Sequence, residues 1–314
     1  MKRFRHWHEA VLVVLLLALW CTARAIDPAF ITPENQLDLA NSVWVLAILA
    51  IPMTLIVLTG GIDLSVGATM SLSAVVLGLG FEAGAPWFVC VLLALVTGSI
   101  AGLLNALFVA KFKIHPLIVT LATMSAFFGL AEGLSHARAI SGFPPAYLAL
   151  ATSRTGHLPF PGWLVLLVAA GSIALLSRTV NGQAIYSIGL NETASRFSNI
   201  KVDRIKLALY TLAGTAAGIA AVFYTCRRNT ARADIGQGLE LDVVTAVVLG
   251  GTSIYGGRGG IVGTLLGVLL VHETRQFVSW HWEKDELNLI VIGLVLILSV
   301  LANRVFERGS KKAQ

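Results

Sequence analysis

Residues 55–73 read LIVLTGGIDLSVGATMSLS. An apolar helical run arrives at Gly60-Gly61, breaks, and a second apolar run leaves. Between the two sits one carboxylate, Asp63, followed by Ser65 and Gly67. An acid in so apolar a setting costs a few kcal/mol, about 3 at a helix centre, unless its surroundings satisfy it. Two roles fit. Asp63 can accept backbone N–H bonds as N-cap of the following helix, or it can stand on a translocation path. The glycines let the chain turn or let a neighbouring helix approach closely.

Working outward, the chain has 314 residues, 56% of them apolar and only 13% charged, with a mean hydropathy of +0.79. A soluble domain carries about twice that charged fraction. The composition therefore describes one polytopic membrane domain over 1–314, all-α, a bundle of about ten spans. The net charge of +6 is read by position, because Lys and Arg favour the cytoplasmic ends of spans; it is not read as a nucleic-acid surface. The three cysteines fit no disulfide or metal framework. His6 and His8 read as a solvated N-terminal face.

Segment 1–25 has a basic start, an apolar run and Ala23-Arg24-Ala25, which is also the form of a cleavable secretory signal. The many apolar segments that follow favour an uncleaved first span. The polar stretch 27–40 reads as an external loop. The runs 41–59 and 64–81 flank the opening motif. Together 41–81 would be about 61 Å of helix at 1.5 Å per residue, or two crossings of a roughly 30 Å core. Further spans are expected at 87–110, 114–134, 163–177, 207–226, 243–254 with its flanks, 259–277 and 287–303. Segment 135–161 is polar and proline-punctuated, and reads as external. So does 227–242, where Arg227, Arg228 and Arg232 are partly offset by Asp234, Glu240 and Asp242. Most of the 23 Lys and Arg then fall on one side, which puts both termini in the cytoplasm.

Gly98 and Gly102, Gly214 and Gly218, and Gly259, Gly263 and Gly267 recur at helical spacing. In lipid such faces pack helices closely. Gly60-Gly61 and Gly250-Gly251 each end a span at a turn, as an internal duplication would place them. Polar residues inside the runs mark positions for packing hydrogen bonds or for a path: Asn105, Thr120, Thr123, Ser125, Glu132, Thr245 and Asn288. No Gly-Lys dipeptide occurs, so there is no Walker A loop, and no nucleophile elbow or carboxylate pair is evident. The sequence reads as a non-enzyme without cofactor or metal. If ATP drives it, another subunit binds the ATP.

The segment 188–206, IGLNETASRFSNIKVDRIK, lies in the longest cytoplasmic loop, 178–206. Asn191 is a good N-cap and Glu192 suits the positive end of a helix dipole. Asn199 can take the left-handed position that ends a helix. The pattern predicts a short helix over 192–198. It either rests on the membrane surface or docks on an ATPase. The sequon at Asn191 is discounted on the cytoplasmic side.

GGIDLSVG at 60–67 and ELDVVTAVVLGGTSIYGGRGGIVGTLLG at 240–267 resemble the membrane subunits of ribose-type sugar importers of the ATP-binding cassette (ABC) class. The likeness runs over roughly 10–305. It implies a permease subunit that works by alternating access in the bacterial inner membrane. Implied partners are membrane lipid, a second permease chain as homo- or heterodimer, an ATP-binding cassette ATPase and a periplasmic substrate-binding protein. In that family the coupling loop carries Gly-x-Asn, small residues, then Ser-Gly-Ile. Here Gly189, Asn191, Ala194, Ser198 and Ile200 match, while Asn199 replaces the glycine and Thr193 a common alanine. The matched Gly189, Asn191, Ala194 and Ser198, with Glu192 and Arg196 of the same short helix, are therefore expected to be ATPase-coupling residues. Gly60, Gly61, Asp63, Ser65, Asn105 and Thr245 are path or turn candidates. The competing class is an ion-coupled secondary transporter, in which Asp63 or Glu132 would titrate.

Overall fold

The computed structural model describes residues 2–156 and 158–282, together with 287, 290, 293 and 294. The helices are α1 Lys2–Ile26, α2 Pro33–Leu58, α3 Val66–Glu82, α4 Trp87–Ala106, α5 Pro116–Ser135, α6 Pro145–Thr152, α7 Phe160–Arg178, α8 Val180–Leu190, α9 Glu192–Phe197, α10 Val202–Arg228, α11 Leu239–Leu249 and α12 Ile261–Trp282. The β structure among the described residues is four two-residue strands: β1 Ile140–Ser141, β2 Arg154–Thr155, β3 Leu158–Pro159 and β4 Thr230–Ala231. They pair antiparallel, β1 with β4 and β2 with β3. The chain is an all-α membrane helix bundle.

Among the described residues, six helical stretches are long and apolar enough to cross a bilayer: His8–Ile26, Trp87–Lys111, Pro116–Ser135, Phe160–Arg178, Val202–Arg228 and Ile261–Trp282. Two shorter apolar ones, Ser42–Leu58 and Val66–Glu82, flank the Gly60-Gly61 break. At 17 residues, α3 is about 26 Å long. The expected span 287–303, with Asn288, lies outside the described residues.

Contacts sort the helix ends into two sets. At the near end, the His8 ring meets the Leu249 carbonyl at 2.9 Å, and Gly257 N–H donates to the Leu58 carbonyl at 2.9 Å. At the far end, Trp280 donates to Asp27 at 2.8 Å, Arg138 pairs with Glu82 at 3.6 Å, and β1 meets β4. Helices α2, α3, α10 and α12 form the interior. Helix α10 packs along α4, α2 and α3, and α12 along α11, α2 and α1. Helices α1, α4, α5 and α7 turn much of their apolar surface outward, as lipid-facing helices do.

The α4–α10 seam is the tightest. A Cβ at Gly98 would stand 2.2 Å from the Gly214 carbonyl oxygen, and one at Gly214 would stand 2.1 Å from that of Gly98. Only a residue without a side chain allows this approach, so the helical glycine spacing is a packing seam.

Four expectations need correction. The stretch 27–40 is not an open loop. A 3-10 turn fills Pro28–Ile31 and α2 starts at Pro33. The two prolines sit in first turns, where a missing N–H costs nothing, and Asp27 accepts from Ala29 N–H at 2.9 Å. Second, the expected eighth span is the 11-residue α11, about 17 Å long and too short to cross. The preceding stretch enters the bundle as non-helical backbone, with Gly236 N–H donating to Ser71 Oγ of α3 at 2.9 Å. Non-helical chain at this depth is tolerated because protein, not lipid, surrounds it. So 227–242 is not simply a surface loop, and Asp242 is buried, paired with Arg275 of α12. Third, the loop 178–206 is mostly helical, built from α8, α9 and the start of α10. Fourth, His8 is not a free polar face, because its ring packs over Gly251.

Candidate functional site

Two groups of side chains stand out. The first surrounds the break that opens the sequence. Helix α2 ends at Leu58 and Gly60 takes φ +79, a left-handed value that glycine adopts without strain. The turn then dives into protein, leaving Asp63 2% exposed and Ser65 fully buried. Asp63 is not the N-cap of α3. That position is Ser65, whose own side chain caps nothing. Asp63 Oδ1 instead accepts both Ser65 N–H at 2.9 Å and Ser65 Oγ–H at 2.7 Å. This is a turn closed by the acid two residues ahead. Asn105 of α4 donates to Ser65 Oγ at 2.7 Å, and Thr120 of α5 reaches the Ile62 carbonyl at 3.5 Å.

Asp63, Ser65 and Asn105 therefore form one chain of hydrogen bonds that ties the turn to α4. Two buried polar atoms beside it have no partner among the described residues: Asn105 Oδ1 and the hydroxyl of Tyr210, which lies next to Gly61. Tyr210 is spaced too far along the sequence to be found from it. Thr245 is buried on α11 and is not in the Asp63 cluster. Of the other polar positions, Thr123 bonds to the α5 backbone at 3.1 Å, Ser125 does so at 3.3 Å, and Glu132 is exposed on α5.

The second group lies at the near end. Asn191 caps α9, its side chain accepting from Ala194 N–H at 2.9 Å. Asn199 takes φ +61, and Ile200 N–H returns to the Ser195 carbonyl at 3.1 Å. The predicted helix is thus present, ending one residue earlier than expected, at Phe197. A charge cluster clamps it to α10. Arg196 Nη2 donates to Glu192 at 2.8 Å and to Asp203 at 2.6 Å, and Lys206 Nζ donates to Glu192 Oε2 at 2.6 Å. Burial would raise the Glu192 carboxyl, but the bonds from Lys206 and Arg196 outweigh it and hold the group below its ordinary value. Arg196 is held above its own, chiefly by Asp203 and then Glu192.

The Glu192–Arg196 spacing was readable as a helical pair. Asp203 and Lys206 were not, because they lie on the next helix. The clamp leaves the outer face of α9 open. Thr193, Ala194 and Ser198 are exposed, and so are two large apolar side chains, Phe197 at 89% and Leu190 at 67%. Tyr255, in the turn before α12, is 84% exposed. Gly189 is different, for its Cα faces inward against Leu58 and Gly257. The structure thus brings Asn191, Glu192, Ala194, Arg196 and Ser198 onto one capped helix, with Gly189 just behind it. Among the described residues no group of histidine, cysteine and acid side chains could hold a metal ion.

Residues 35–300 match the profile of the family described as branched-chain amino acid transport system / permease component. The chain belongs to that family. Relatives agree along nearly the whole permease. The autoinducer 2 import system permease protein LsrD of Escherichia coli O157:H7 is 33% identical over 309 residues, covering 96% of this chain and 94% of the relative. The ribose import permease protein RbsC of Bacillus subtilis (strain 168) is 37% identical over 281 residues, covering 89% and 87%. No solved structure matches this permease significantly. It is a multi-pass membrane protein of the ribose-type ABC permease group.

Proposed function

We propose that this permease carries a small sugar or sugar-like solute across the bacterial inner membrane, driven by an ATP-binding cassette ATPase that docks on α9. The observation that carries the reading is the open face of α9. A six-residue helix is too short to hold itself together in water, yet this one is capped at both ends and clamped to α10 by two charged partners, Asp203 and Lys206. The clamp presents Ala194, Ser198 and the exposed rings and aliphatics of Phe197 and Leu190, a polar-rimmed apolar patch of the kind that meets a protein groove.

On this reading the near end is cytoplasmic, 178–206 is the coupling loop, and the chain 1–314 is one permease domain. Ten membrane segments remain, with α11 and the backbone that leads into it sharing one passage, and with both termini inside. A second permease chain completes the pore, and a periplasmic binding protein delivers solute at the far end. The Asp63, Ser65 and Asn105 group with Gly60 and Gly61 fixes a turn close to the moving end of α2, and Thr245 lies on the half-span α11. The relatives' names, ribose and autoinducer 2 importers, support the solute class.

Ala194→Arg tests the docking role. It places a bulky charge on the open face, away from the clamp. Uptake of ribose and of autoinducer 2 should be lost and the ATPase should no longer co-purify, while the amount in the membrane stays near normal. Uptake that survives Ala194→Arg and collapses with an uncoupler at constant ATP would instead establish an ion-coupled transporter.

A further inference from the structure

Three backbones meet at the last turn of α8. A Cβ on Gly189 would stand 1.9 Å from the Leu58 carbonyl oxygen, at the end of α2, and 2.4 Å from Gly257 N, in the turn before α12. Those two are themselves joined, since Gly257 N–H donates to the Leu58 carbonyl at 2.9 Å. Gly256, at φ +85, closes the junction, and a Cβ there would lie 2.8 Å from Gly60 N and 2.9 Å from Gly189 Cα. One turn earlier on α8, the Tyr186 hydroxyl donates to the Gly259 carbonyl at 3.0 Å.

The junction has a position that mere packing would not need. On one side α8 runs through Asn191 directly into α9, the helix with the open face. On the other side the Leu58 and Gly60 backbone leads into the buried Asp63 turn, and the 256–259 backbone follows α11 and precedes α12. Side chains at a contact can rotate away and absorb a displacement. Backbones in contact cannot, because close-packed interiors pass strain on.

We infer that Gly189 and Tyr186 are positioning residues for transport: they pass a displacement of α9 to the end of α2 and to the α11–α12 turn together. This rests on the docking reading above. Gly189 supplies the contact, and Tyr186 holds α8 in register with the turn.

The test uses the full chain without its native cysteines, in membrane vesicles with its cognate ATPase, and with Tyr255→Cys as a reporter in the turn. The readout is the rate of maleimide labelling with and without ATP. In the parent, ATP should change that rate. Gly189→Ala should abolish the change while the ATPase still co-purifies. Tyr186→Phe should shrink the effect about fivefold, as loss of one hydrogen bond of about 1 kcal/mol implies. Gly171→Ala, where a Cβ meets open space, should leave the response intact. If Gly189→Ala does not fold, Tyr186→Phe decides. An ATP response of parent size in both variants overturns the inference. So does loss of ATPase co-purification in Gly189→Ala, since the residue would then belong to the docking face. A parent that ignores ATP overturns the docking reading itself, and the inference with it.

Discussion

Lys206 of α10 donates to Glu192 of α9 at 2.6 Å, although the two are fourteen residues apart and on different helices. Glu192 also accepts from Arg196 at 2.8 Å, and Arg196 donates in turn to Asp203 at 2.6 Å. A helix too short to be stable alone is thereby fastened to a long one. Glu192 is the hub, so its contribution is larger than that of a first-turn charge on a free helix. Glu192→Lys should therefore detach α9 and abolish ATPase co-purification, with the membrane bundle still folded. Glu192→Gln keeps the shape and loses the charge, so its effect should be milder. A Glu192→Lys chain that still holds the ATPase would mean the clamp is dispensable.

The clamp has a pH window. The Glu192 carboxyl is depressed in the folded chain, so the stability it adds is present above the ordinary glutamate value of about 4.3 and is lost as pH falls through the lower folded value. Between pH 5 and 8, ATPase co-purification should be flat, and it should fall below about pH 4. Arg196 holds the Asp203 carboxyl of the same clamp below its ordinary value too, so Glu192→Gln should shrink that acid limb and Glu192→Gln with Asp203→Asn should remove it. An acid limb that persists in the double variant would point to a group outside the clamp.

Asp63 should tolerate asparagine. An amide oxygen can accept both bonds from Ser65, whereas Asp63→Leu leaves a buried N–H and a buried O–H donor without acceptors, at about 1–3 kcal/mol each. Detergent-extracted Asp63→Asn should keep the parent's melting behaviour, and Asp63→Leu should give much less folded protein. An Asp63→Asn chain that is stable but transports nothing would assign the acid to the path.

Sidedness can be read by labelling. Thr152 and Ser198 are both exposed, at opposite ends of the bundle. In a cysteine-free background, Thr152→Cys should react with an impermeant maleimide in cells whose outer membrane has been opened, and Ser198→Cys only after lysis. Reaction of Ser198→Cys from outside would invert the topology.

The seam between α4 and α10 should be intolerant of bulk. Gly214→Val puts two methyl groups where the Gly98 carbonyl already lies within 2.1 Å of a first carbon. Folded yield should drop severely, whereas Gly129→Val, on an α5 face with nothing nearby, should change it little.

Much of this architecture was legible in the residues. The α9 helix follows from strictly local rules: Asn191 at the start, Glu192 in the first turn, Asn199 at the end. The break at Gly60-Gly61 was equally plain, because glycines and a carboxylate interrupt an apolar run. What the sequence hides is pairing at a distance. Nothing near Glu192 announces Lys206, and nothing near Asp63 announces Asn105 or Tyr210. The length of α11 was misread for a different reason. Hydropathy measures the company a residue prefers, and a half-length helix buried in protein has the same preference as a full crossing in lipid. The polar stretch 27–40 misled because prolines mark first turns of helices as readily as they mark loops.

The shortness of α11 bears on how the chain is made. Eleven residues are too few to be accepted by a translocon as a membrane segment in their own right. Nor can the non-helical backbone before it rest in hydrocarbon with its amides bare. While the ribosome is still near residue 250, this stretch has no stable place of its own. It has to wait until α12 emerges and then enter beside it, drawn in by the Gly263 and Gly267 surface that fits Gly250 and Ala246. Biogenesis of this protein is therefore a two-step affair, with the last third of the chain folding into a bundle that the first two thirds have already begun.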